Sequence, residues 1–100
     1  MNNIEFDYID LNDREICVNG IKTEEVPEEL KVLGIPGEID GKKVTSIASG
    51  NFNLRGLFIE EIVIPDTVER IEKFAFAYMV SLHEITIPDS VKYIGEGFIT

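Results

Sequence analysis

A chain of 100 residues with 44% hydrophobic and 28% charged side chains has the length of one domain with one modest core, able to bury roughly two thirds of its unfolded surface. Its 19 acidic against 9 basic residues give a net charge of -10, a density that repels phosphate backbones and anionic lipid, which argues against direct binding of nucleic acid or membrane. A single cysteine excludes an intrachain disulfide framework, and no run approaches the ~20 apolar residues of a membrane-spanning helix.

The first predicted element is a hairpin. "FDYIDLNDREICVNGI" alternates apolar and polar residues around Asn12-Asp13, and Asn19-Gly20 reads as a further turn. With the polar connector "KTEEVPEE", residues 1–29 read as an N-terminal β-hairpin cap and linker. The opening "MNNIEFDYID" has acids where a secretory signal has a basic start and an apolar run. The expected location is the cytoplasm for the chain as written, and the cell surface if these residues belong to a longer exported protein.

From Leu30 onward three segments align: "LKVLGIPGEIDGKKVTSIASGNF", "IEEIVIPDTVERIEKFAF" and "LHEITIPDSVKYIGEGFI". Ile64 and Ile87 lie 23 residues apart, and at that offset Glu61, Ile62, Pro65, Asp66, Val68 and Ile71 recur as Glu84, Ile85, Pro88, Asp89, Val91 and Ile94. Each unit opens with a short strand whose isoleucines point inward and whose Val63 or Thr86 points outward. Proline ends the pairing, and Asp66 or Asp89 starts a turn. A second extended piece follows, "VERI" or "VKYI", and then an aromatic plug at Phe76 with small Ala75 beside it. The first unit is longer: Ile35 to Ile47 spans 12 positions where Ile64 to Ile71 spans 7, and its "EIDGKKVTSI" signals a hairpin at Asp40-Gly41. The units are residues 30–58, a modified first repeat; 59–81, the second; and 82–100, an incomplete third. Alone, each exposes an apolar face that stacking hides. The expected fold is one domain, residues 1–100, mainly β with short helical turns: a short solenoid of parallel strands behind a hairpin cap.

These residues resemble the BspA-like branch of the leucine-rich repeats, whose units follow L-x-x-I-x-I-P-x-S-V-x-x-I-G-x-x-A-F. The resemblance runs from about Leu30 to the end, and "IDGKKVTSI" is similar to an opening segment of that family. Glu72 replaces the pattern's glycine, Met79 stands near a frequent cysteine, and Gly97-Phe98-Ile99 replaces Ala-Phe. The resemblance implies a curved solenoid and roles in adhesion and protein recognition.

Chemistry has few carriers. His83 is the sole histidine and follows inward Leu82, so it reads as a solvated strand residue; Cys17, between Ile16 and Val18, reads as a small buried hydrophobe. One histidine and one cysteine cannot form a zinc cluster, and "DLNDRE" lacks the glycine and length of a calcium loop. Neither "GKKV" nor "GEGF" has phosphate-loop spacing, and the paired glutamates at 24–25, 28–29 and 60–61 alternate faces on extended chain. The expectation is a non-enzyme without cofactor or metal.

What remains is surface. Outward positions stack into a ladder of Val32, Gly34, Glu61, Val63, Glu84 and Thr86, while a second ladder exposes Glu69, Arg70, Lys92 and Tyr93. The partner-binding residues expected from this reading are Glu61, Val63, Glu84 and Thr86, with Tyr93 and Arg70. The predicted function is a non-catalytic protein-interaction module whose partner is a protein of basic character. One alternative is an acidic decoy that fills the basic nucleic-acid groove of an enzyme. A second is a truncated repeat fragment of a bacterial cell-surface adhesin. "GEGFIT" leaves Phe98 and Ile99 without a capping neighbour, so a homodimer through the open C-terminal end is also expected to compete.

Overall fold

The computed structural model describes residues 3–99. The N-terminal alternation closes into an antiparallel hairpin of β1 (Phe6–Asp10) and β2 (Glu15–Ile21). Asn12 makes its turn: the side-chain oxygen accepts the N–H groups of Arg14 and Glu15 at 2.8 and 2.9 Å. Asn19-Gly20 does not form the turn expected of it. Both residues lie within β2, where Asn19 is the extra residue of a bulge between the Asp7–Gly20 and Tyr8–Val18 pairs. Gly20 is needed for close approach, because a Cβ there would collide with Asn51 Oδ1. That oxygen accepts the Ile21 N–H at 2.7 Å, while Asn51 Nδ2 donates to the Ile21 carbonyl at 2.9 Å.

The repeats then wind between two sheets. In the first coil, β3 (Val32–Gly34) is followed by a hairpin of β4 (Glu38–Ile39) and β5 (Lys42–Ile47). Its turn residues Asp40 and Gly41 have φ of 54° and 78°, the left-handed pair that a two-residue hairpin requires. The one helix among the described residues, α1 (Phe52–Arg55), closes the coil. The second coil supplies β6 (Glu61–Val63) and β7 (Arg70–Ile71), and the third supplies β8 (Glu84–Thr86) and β9 (Tyr93–Ile94). The larger sheet runs β1-β2-β5-β7-β9 with β4 beside β5; the smaller runs β3-β6-β8. All pairings between coils are parallel, and β2 joins β5 in parallel too, so the hairpin continues the larger sheet.

Between the sheets lies one core, in which Ile16, Val18, Leu33, Ile47, Ile62 and Ile71 are buried. Burying each such side chain contributes about 1.5–3 kcal/mol relative to exposure. The aromatic plug forms as expected: Phe76 packs on Phe52 with ring centroids 5.1 Å apart, at the third side of the coil. The bend before the plug repeats as well. Phe74 has φ of 61° and Gly97, 23 residues later, has φ of 66°. Glycine adopts this conformation freely, whereas Phe74 does so with strain.

Candidate functional site

Successive side chains on a strand point to opposite sides. In the smaller sheet Leu33, Ile62 and Ile85 turn inward, leaving the flanking residues outside. The register aligns Val32, Glu61 and Glu84 in one row and Gly34, Val63 and Thr86 in the next. Four of the expected contact residues, Glu61, Val63, Glu84 and Thr86, are thus gathered into one block on a single face. Val32 and Val63 are 48% and 36% exposed beside it, an apolar margin to an acidic centre.

Charge gives this face its character. Neighbouring strands lie ~4.8 Å apart, so Glu61 and Glu84 stand side by side, an arrangement that works against strand pairing. Neither has a cationic partner: among the described residues the ion pairs are Lys42–Asp10 and Arg70–Glu72, joined by His83–Glu60 only when the histidine is protonated. That contact leaves Glu60 Oε1 3.7 Å from His83 Nε2, with the histidine exposed and the glutamate half-buried. Lys31, just before β3, lies with its ammonium 5.5 Å from the centroid of the Phe58 ring.

Arg70 and Tyr93 occupy the larger sheet, whose outer face points away from the first across the core. There β7 and β9 pair Arg70 directly with Tyr93, and the guanidinium stacks 4.3 Å from the ring centroid. Arg70 Nε also donates to Glu72 Oε2 at 2.8 Å, and this bond, reinforced by the carboxylate charge, raises the guanidinium pKa further. The six expected residues therefore form two separate patches. The sequence placed Arg70 and Tyr93 in one ladder. It did not show that Glu72, the residue standing where the repeat pattern has glycine, occupies the guanidinium's donors.

Cys17 is buried, and desolvation pushes its thiol above the ordinary 9.0, which disfavours the nucleophilic thiolate. His83 is exposed on the chain leading into β8. Among the described residues, no group of three His, Cys, Asp or Glu side chains could hold a metal ion, and no helix is long and apolar enough to cross a membrane.

The model of the BspA type leucine rich repeat region (6 copies) matches residues 41–99. Among solved structures, the leucine rich repeat protein of T. pallidum (TpLRR) is similar with a TM-score of 0.70 and 21% identity, over 89% of this chain and 39% of its own. A leucine-rich repeat protein from Bacteroides ovatus ATCC 8483 has a TM-score of 0.62 and 31% identity, over 91% of this chain and 24% of its own. The chain thus spans less than half the length of either protein. No curated protein matches it.

Proposed function

Since the chain belongs to the BspA-type leucine-rich repeat family, we propose that it is a non-catalytic protein-interaction module whose contact surface is the outer face of β3, β6 and β8. The observation that carries this reading is the unneutralised pair Glu61 and Glu84, held in register and bordered by exposed Val32, Val63 and Thr86. Two carboxylates kept side by side oppose folding slightly, and a cationic partner relieves that repulsion. The partner implied is a protein presenting Lys or Arg beside apolar side chains. Selection from a displayed peptide library tests it: the wild-type chain enriches a set of basic sequences that the double variant E61K/E84K does not. Equal enrichment by both removes this face from consideration.

A second reading rests on the last described coil, where Ile87, Ile94 and Ile99 are exposed and, among the described residues, no further strand lies beside β8 and β9. Two copies joined through this end cover those side chains. Sedimentation that gives a monomer at every concentration rules it out.

A further inference from the structure

The two sheets begin differently at the hairpin end. β2 covers the first edge of the larger sheet, but among the described residues no strand pairs with the outer edge of β3. The Glu61 N–H donates to the Lys31 carbonyl and the Ile35 N–H to the Val63 carbonyl, each at 3.0 Å, so residues 31, 33 and 35 direct their backbone groups toward β6. In a parallel ladder the alternate residues face the other way. The N–H and C=O groups of Val32 and Gly34 therefore lie along a free edge.

Two adjoining clefts accompany this edge. One, of about 260 Å³, is lined by Val32 and Gly34 together with apolar Ile4, Phe6, Leu33 and Pro36. The other, of about 310 Å³, shares Ile4, Phe6 and Pro36 and adds Glu5, Lys22 and Asp40. By contrast, the cleft beside β8 at the opposite end of the sheet holds about 120 Å³. Gly34 also sets β3 apart, since β6 and β8 carry Val63 and Thr86 at its register position. A Cβ on Gly34 meets nothing within 4 Å, so the outer face above this edge is open as well.

We propose that the free edge of β3, with its clefts, docks an extended basic and apolar segment of a partner protein, which joins the smaller sheet as a fourth strand. Main-chain bonds to Val32 and Gly34 supply affinity, and alternate side chains seat against Ile4, Leu30 and Pro36. Charge selects the occupant. Glu5 and Asp40 line the second cleft, and the connector entering β3 carries exposed Glu24, Glu25, Glu28 and Glu29; Lys22 is the one cation lining either cleft. This site is independent of the outer-face reading, because it uses backbone groups rather than Glu61 and Glu84.

Amide hydrogen exchange of the full chain, followed residue by residue by NMR, tests the proposal with a capped peptide of alternating valine and lysine. The Val32 and Gly34 amides should slow by on the order of tenfold at saturation, the effect of forming one hydrogen bond each. The same peptide with glutamate for lysine should leave them unchanged. Gly34→Pro, which removes one of the two N–H groups on the free edge, should weaken the protection of Val32, whereas E61K/E84K should retain it. Binding that leaves Val32 and Gly34 unprotected, or that protects Ile85 and Ile94 at the opposite end instead, overturns the proposal.

Discussion

Ile71 in the second coil is fully buried and Ile94 in the third is 44% exposed, although the two share one register position and their strands pair directly. At the same 23-residue offset, Ile64 and Ile87 differ in exposure at 3% and 37%, and Phe76 and Ile99 at 1% and 45%. The repeat pattern fixes which side chains point inward, but burial comes from the coil laid on top. Among the described residues, the second coil has a neighbour on both sides and the third has one. At the other end of the larger sheet the hairpin does the work of a coil: β2 lies parallel on β5, and Ile16, Val18 and Ile21 are fully buried.

The sharpest way to break this comparison is to truncate the same side chain in both coils. Ile71→Ala leaves a cavity sealed on both sides and should cost about 2–5 kcal/mol. Ile94→Ala removes a half-exposed side chain beside open solvent and should cost about 1 kcal/mol. Urea denaturation of the two variants measures the gap, and equal losses would mean that the coils do not differ as described.

The contrast also marks what the sequence could reveal. The 23-residue offset and the inward isoleucines prescribe the parallel ladders and the outer-face rows of Glu61, Glu84, Val63 and Thr86, because strand periodicity is local. Asp40-Gly41 announces its hairpin for the same reason. Asn19-Gly20 misled, since a glycine required by close approach reads the same as one required by a turn, and Asn51 lies 31 residues beyond Gly20. The Arg70 stack on Tyr93 combines a visible offset with a side-chain choice that only packing fixes. The free edge of β3 depends on what the hairpin leaves uncovered, and no local pattern states that.

A smaller effect is expected where the hairpin is fastened to the first coil. Asn51 sits at the start of α1 yet spends its carboxamide on both backbone groups of Ile21. Asn51→Ala should cost about 1–3 kcal/mol by leaving those groups unpaired, and calorimetry should show the loss. Asn51→Asp keeps the acceptor but sets a second oxygen against the Ile21 carbonyl, and should not restore the wild-type stability.

The smallest effect concerns Tyr8, whose hydroxyl donates to Asp40 Oδ2 at 2.6 Å and so ties β1 to the β4–β5 turn. That bond to Asp40, with desolvation and the carboxylate charge behind it, raises the phenol above its ordinary 10.0. A raised folded-state value means that the contribution is complete below pH 10.0 and is lost as pH rises through the folded value. Alkaline titration followed by phenolate absorbance should show a step above the ordinary tyrosine range, and Tyr8→Phe should remove it.

Native-state hydrogen exchange at two matched amides tests most directly whether stacking, rather than the pattern itself, supplies burial. The Glu72 N–H donates to the Ile47 carbonyl and the Gly95 N–H to the Ile71 carbonyl, both at 2.8 Å. The bonds are equivalent, but the first lies inside the stack and the second joins the last coil to it. Glu72 should exchange only through near-global opening and Gly95 through local opening, with protection differing by on the order of tenfold or more. Equal protection at the two amides would contradict the account.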